Sequence, residues 1–179
     1  MPDIIAYLGP IHSFTYEITS LHYGENELIS YNNITDIFNA VEKKEVDFAV
    51  VPLRNSIHGD VEETHKNLLE KSDIKILKEL VLDVRMQLCS KSPIEKVEKI
   101  CTKYVAYNQC VKSLAKLNLA DIPFEDVEST SLGAEIASND LSVAAICSQL
   151  AATQYGLNTL FANIEDTNDN KTTFGVIKL

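Results

Sequence analysis

Phe48-Ala49-Val50-Val51-Pro52-Leu53-Arg54-Asn55-Ser56-Ile57-His58-Gly59 is an apolar run that stops in a polar loop. A short run of this kind, closed by turn residues, is a buried strand. Asn, Ser and Gly at the end of a buried strand are where α/β proteins place ligands. A second stretch repeats the theme at the end of the chain. Asp169-Asn170-Lys171-Thr172-Thr173-Phe174 is a polar turn running into the apolar strand Gly175-Val176-Ile177-Lys178.

Outward from these loops, strands and helices alternate. Ile4–Leu8 is a buried strand ended by Gly9-Pro10, and Ser13 is placed to cap the helix that follows. Asn33 caps a second helix whose apolar face is Ile34, Ile37, Phe38 and Val41. A third helix starts near Asp60, with Val61, Leu68 and Leu69 inward. Ile74–Leu77 reads as a strand, and Leu80–Leu88 as a long strand of period two leaving the first lobe, with Arg85 on its solvated side. Ser92-Pro93-Ile94-Glu95 fits a capping box and predicts a helix. Tyr104–Tyr107 reads as a strand, Asn108–Leu117 as a helix and Phe124–Val127 as a strand. Ser129-Thr130-Ser131 opens another helix. Val143–Ile146 is a strand, Ser148–Tyr155 a helix stopped by Gly156, and Leu160–Ile164 a strand. Such alternation predicts an α/β fold with mostly parallel sheets. The expected lobes are residues 1–79 plus 165–179, and residues 80–164.

Composition narrows the partners. The chain has 179 residues, 45% hydrophobic and 23% charged, which suffices for a packed core without staples. A net charge of −10 argues against nucleic acid and against an anionic membrane surface. Cys89, Cys101, Cys110 and Cys147 form no CxxC pair, so buried thiols are expected rather than a metal or disulfide framework. No phosphate loop or nucleophile elbow is present, so no cofactor and no metal is expected. No signal segment or membrane span is visible, which makes the cytoplasm the expected location. The only two arginines are Arg54 and Arg85, so a dianionic ligand has few fixed cations to meet.

Five strings in order make the chain resemble the catalytic domain of prephenate dehydratase. Tyr7-Leu8-Gly9-Pro10-Ile11-His12-Ser13-Phe14 is similar to that family's YLGPxGSF. Val50–Gly59 is similar to VVPxENSxxG, and Glu128-Ser129-Thr130-Ser131 to ESTAAA. Ala144-Ala145-Ile146 with Tyr155-Gly156-Leu157 is similar to AAIxS…YGL. Ile164-Glu165-Asp166 followed by Asn170–Phe174 is similar to IxD…NxTRF. The resemblance implies a two-lobed, periplasmic-binding-protein-like (type II) fold with a cleft between the lobes. It implies a carbon–oxygen lyase of phenylalanine biosynthesis that converts prephenate, a small dianion, to phenylpyruvate with loss of CO2 and water. It implies a homodimer or homotetramer. It also implies that the family's C-terminal ACT regulatory domain is absent, since the chain ends where that domain would begin.

Carried over position by position, the catalytic hydroxyl is Thr172. Substrate contacts fall to Asn55, Ser56, Arg54, Ser13, Ser129, Thr130, Phe174 and His12. Four departures stand at these motifs. The Arg of TRF is Thr173, the Glu of ENS is Arg54, and the Gly of GSF is His12. The family's SHPQAL is replaced by Ala106-Tyr107-Asn108-Gln109-Cys110-Val111. Arg54 is therefore expected to face the substrate in place of the missing guanidinium. His58 and His65 lie near the same loops. Two other readings stay open. One is a decarboxylase of the same substrate that leaves the ring unaromatised, and the other is an inactive small-anion-binding paralogue.

Overall fold

The computed structural model describes residues 2–179. In chain order the elements are β1 (Ile4–Leu8), α1 (Phe14–Tyr23), β2 (Glu27–Tyr31), α2 (Ile34–Glu42), β3 (Phe48–Asn55), β4 (Gly59–Asp60), α3 (Glu62–Glu70) and β5 (Lys75–Asp83). They continue with β6 (Gln87–Ser90), β7 (Lys99–Thr102), α4 (Tyr104–Asn108), α5 (Val111–Lys116), β8 (Phe124–Asp126), α6 (Thr130–Asn139), β9 (Val143–Cys147), α7 (Gln149–Gln154), β10 (Asn158–Phe161) and β11 (Lys171–Lys178). The chain divides into two compact units. One runs through Val84 and takes back Asp169–Leu179; the other is Arg85–Asn168. These divisions fall at 84/85 and 168/169, not at the expected 79/80 and 164/165, because β5 stays in the first sheet to Asp83.

In the first unit the sheet order is β2-β1-β3-β11-β5, with β4 added on β3. β1 is parallel to β2 and β3, and β11 runs antiparallel between β3 and β5. Successive strand residues point to opposite faces, and both faces are filled. On one, Ile34, Ile37, Phe38 and Val41 of α2 pack on Ala6, Ala49, Val51 and Ile177. On the other, Ile18 of α1 packs with Ile5, Val50, Phe174, Val176 and Leu80. The Asn33 side chain caps α2 as its position predicts, accepting from the Asp36 amide at 2.8 Å.

The second unit has sheet order β10-β6-β9-β7-β8, parallel at β7–β9 and β7–β8 and antiparallel at β6. Cys89, Cys101, Ala145 and Cys147 cover one face against Ala134 and Ala137 of α6 and Ala151 and Ala152 of α7. All four cysteines are buried thiols. Gly133 sets how closely α6 lies on the sheet: a Cβ there would stand 2.5 Å from the Cys101 carbonyl oxygen.

Several expectations are corrected. Leu80–Leu88 is not one strand. β5 ends at Asp83 and β6 begins at Gln87 in the other sheet; β5 buries Leu80 on one side, whereas β6 is buried on both, so the apolar alternation crosses the break without marking it. Arg85, expected in solvent, ion-pairs at 2.9 Å with Glu165, whose carboxylate is fully buried and also accepts from the Met86 amide. Tyr104–Tyr107 is helical (α4). The strand is the preceding Lys99–Thr102, whose lysine hid its period, while Tyr104 and Val105 are exposed. The capping box at Ser92 forms only a three-residue 3-10 turn, Ile94–Lys96. Leu69 points to solvent, because α3 buries Thr64 and Asn67 instead. β10 begins at Asn158 and ends before Ile164, and β2 was not foreseen.

Candidate functional site

In the first unit, β11 and β3 bring the two polar loops side by side. Thr172 is the cross-strand partner of Asn55, and Thr173 that of Arg54. Asn55 is the hub. Its Oδ1 accepts from the amides of Ile57 (2.9 Å) and His58 (3.1 Å), folding its own loop. Its Nδ2 donates to Asn170 Oδ1 (2.9 Å), Thr172 Oγ1 (3.0 Å) and the Lys171 carbonyl (3.2 Å). A flipped amide would set oxygen against two carbonyl-type oxygens, so this orientation is the one the network permits. Thr172 Oγ1 is thus an acceptor from Asn55, and its own O–H is left to donate.

Ser56 completes the clasp. Its hydroxyl donates to the Asp169 carbonyl and accepts from the Lys171 amide at 2.9 Å, while its own amide donates to the Lys171 carbonyl at 2.8 Å. Asn170, absent from the carried-over contacts, is 1% exposed and gives its carbonyl to the Val84 amide. The signal was present in the sequence, as an Asn two residues before Thr172. Thr64, buried on α3, donates to the Pro52 carbonyl at 2.7 Å, and His65 Nε2 lies 3.1 Å from the Leu53 carbonyl. Both brace the strand that carries Asn55.

Other expected contacts stand elsewhere. Arg54 is largely exposed and pairs with Glu79 of β5 at 3.7 Å, apart from the Asn55 network. Phe174 is a core side chain, 1% exposed among Ile18, Val50 and Leu80. A bulge between Thr173 and Phe174 sets it off from the loop, so its side chain lies in the core and not in the Asn55 network. Ser13 caps α1, accepting from the Tyr16 amide (3.2 Å) and donating to the Leu8 carbonyl (3.3 Å). His12 has φ +66°, the left-handed region that favours glycine. That conformation accounts for glycine in the resembling motif. The His12 ring packs edge-on against Tyr16 at 5.3 Å, and burial lowers its pKa from the ordinary 6.5.

In the second unit, Ser129 caps α6 by accepting from the Leu132 amide at 3.0 Å, and Thr130 is the first helical residue. An open groove of about 470 Å³ lies beside them, lined by Lys103, Tyr104, Val105, Asp126, Val127, Glu128 and Leu132. Asp126 accepts from the Tyr104 amide at 2.7 Å, tying α4 to β8. Reading Tyr104–Tyr107 as a strand concealed this groove. Asp166 binds the amides of Lys112 (3.0 Å) and Ser113 (2.8 Å), so the Ile164-Glu165-Asp166 string is a structural fastening. Burial of the Cys110 thiol, and after it the charges of Asp166 and Glu165, push that thiol's pKa up. Among the described residues no group of three His, Cys, Asp or Glu side chains could hold a metal ion. No described helix is long and apolar enough to cross a membrane.

Comparison with known proteins places these motifs. The family model for prephenate dehydratase matches residues 5–179. A bifunctional chorismate mutase/prephenate dehydratase of Aquifex aeolicus is 41% identical over 175 residues, covering 97% of this chain and 48% of that protein. The chain therefore spans about half the length of that relative. The crystal structure of prephenate dehydratase from Arthrobacter aurescens, in complex with L-Phe, superposes with a TM-score of 0.87 at 26% identity, covering 98% of this chain and 60% of that one. A lipoprotein of Bacillus subtilis gives a TM-score of 0.52 at 14% identity, covering 98% and 82%, which speaks for the fold alone. The fold is of the two-lobed periplasmic-binding-protein type, as the resemblance implied.

Proposed function

Because the chain belongs to the prephenate dehydratase family, we propose that it converts prephenate to phenylpyruvate with loss of CO2 and water, as a lyase of phenylalanine biosynthesis. The single observation that carries this reading is the Asn55–Thr172 hydrogen bond, which uses Thr172 Oγ1 as an acceptor and leaves its O–H to donate.

The reaction asks little of the protein. The ring carboxylate leaves as CO2, and its C–C electron pair becomes a ring double bond. The electrons displaced across the ring expel the hydroxyl at the far carbon, which takes a proton and departs as water. Aromatisation drives the sequence, so the enzyme's part is to orient the substrate and assist the leaving oxygen. Thr172 Oγ–H donates a hydrogen bond to that oxygen, and solvent supplies the proton that completes water. A threonine is too weak an acid to transfer its own proton outright. Asn55 and Ser56 hold the hydroxyl in place. In the first unit the helix N-terminus after Ser13 offers backbone N–H groups to a carboxylate, and in the second unit the one at Ser129-Thr130 has the same chemistry. His12 shapes the former by filling the space a glycine leaves open. Arg54 contributes charge from β3, not a direct contact. The enzyme works in the cytoplasm as a homodimer or homotetramer.

The test is direct incubation with prephenate. Phenylpyruvate formation supports the reading. A decarboxylated, non-aromatic product, or binding without turnover, refutes it.

A further inference from the structure

We propose that Cys89 and Cys147 form a redox-active dithiol in the second unit, which hydrogen peroxide oxidises to a disulfide and small thiols reopen. Both lie in the core face of thiols and small residues under α6 and α7. β6 and β9 run antiparallel with Cys89 opposite Ala145 and Gln87 opposite Cys147, so the two cysteines are diagonal neighbours. Their thiols hydrogen-bond one another. The other two cysteines are engaged elsewhere. Cys101 stands opposite Ala145 from the far side of β9, with its sulfur 4.0 Å from Glu125. Two strand spacings, about 10 Å, part it from Cys89, beyond the reach of a disulfide. Cys110 packs on Met86 Sδ at 3.6 Å.

A buried thiol is inert unless something activates it and something reaches it. The pair supplies the activation. The bond from the Cys147 thiol holds the Cys89 thiol below its ordinary pKa against the opposing effect of burial, and Thr159 adds to it. The same bond, with burial, pushes the Cys147 thiol up. Thr159 supplies the access. It stands across from Cys89 on β10, an outer strand whose register slips between Thr159 and Phe161. Cys89 Sγ lies 3.8 Å from Thr159 Oγ1, which donates to Gln149 Oε1 at 3.1 Å, and both Thr159 and Gln149 are exposed. A proton leaving Cys89 therefore has a hydroxyl to carry it to water.

The chemistry balances with peroxide as the oxidant. The Cys89 thiolate attacks one oxygen, the O–O bond breaks, and the other oxygen leaves as hydroxide and takes up the proton that Cys89 released. The Cys147 sulfur then displaces the oxygen from the Cys89 sulfenic acid. The S–S bond forms, and the Cys147 proton leaves with that oxygen as a second water. Two thiols lose two electrons and one peroxide becomes two waters. Diagonal neighbours stand about 7–8 Å apart at Cα, whereas a disulfide closes below about 7 Å. β6 and β9 must draw together to form the bond, which leaves it strained and easily reduced.

Peroxide treatment of the folded native chain, followed by peptide mass mapping without reductant, tests this. The expected product is one peptide pair joined through Cys89 and Cys147, lighter by two hydrogens and restored by dithiothreitol. Cys147→Ala is expected to stop at a sulfenic acid on Cys89, trapped by dimedone. Thr159→Val is expected to slow the oxidation at least about tenfold, the worth of one lost hydrogen bond, with circular dichroism unchanged. Free thiols at both positions, under conditions that oxidise a small dithiol in the same tube, overturn the proposal. So does a bridge that includes Cys101 or Cys110, or one that forms only in urea. The pair belongs to the second unit and the clasp at Thr172 to the first, so turnover of prephenate neither supports nor overturns it.

Discussion

The hydroxyl of Thr172 is positioned by one amide, and that amide is positioned by two backbone N–H groups. Removing the hydroxyl at nearly constant shape, with Thr172→Val, is expected to lower kcat by about 10²–10³-fold, the usual cost of one transition-state donor, with KM little changed. Steady-state kinetics on prephenate check it. Asn55→Ala removes the hub, and both kcat and thermal stability are expected to fall, because Asn170 and the loop amides lose a partner in a half-buried site. His12 makes a pH prediction. Burial lowers its folded pKa below 6.5, so between the two values the unfolded chain binds more protons and stability rises with pH. The penalty is absent above about pH 6.5 and grows as pH falls toward the folded pKa. His12→Asn, which tolerates the same positive φ, is expected to remove that slope from a urea-midpoint titration. A slope unchanged in the variant would contradict the assignment.

Among the elements, α6 illustrates how tightly a helix N-terminus is fixed. Ser129 caps it and Gly133 lets it rest on the Cys101 carbonyl. Gly133→Ala forces a Cβ to 2.5 Å from that oxygen and is expected to cost about 1–3 kcal/mol, the range for overpacking, read as a lower urea midpoint. Most elements were legible because one physical signal dominated: Asn33 before a 3-4-7 apolar face, Ser148 before a helix closed by Gly156 at φ +65°. The failures share a cause as well. Tyr104-Val105-Ala106-Tyr107 has strand composition, yet Tyr107 stacks on Phe124 from a helix, so tertiary packing overrides local propensity. Leu80–Leu88 keeps one period across two strands, and nothing local marks the break at Val84. The site divides likewise. Asn55, Ser56 and Thr172 were placed by motif and lie together, whereas the Arg54–Glu79 and Arg85–Glu165 pairs join residues far apart in sequence and left no local trace.

At the scale of the whole molecule, two sheets each carry their own core, and the chain crosses between the units at 84/85 and 168/169. The Arg85–Glu165 pair and the Val84–Asn170 bond sit beside those crossings. Glu165→Ala removes the buried acceptor of the Met86 amide and the carboxylate beside the part-exposed Arg85, and is expected to destabilise the second unit by about 1–3 kcal/mol. Hydrogen exchange in β6 and β9 reports it. The family and the fold follow from sequence and structure together, and the reaction rests on the clasp between β3 and β11. The most direct test of that clasp is a product assay with prephenate on the native chain and on Thr172→Val side by side. The account predicts phenylpyruvate from the native chain and a rate lower by about 10²–10³-fold from the variant. Equal rates from the two, or no phenylpyruvate from the native chain, would contradict it.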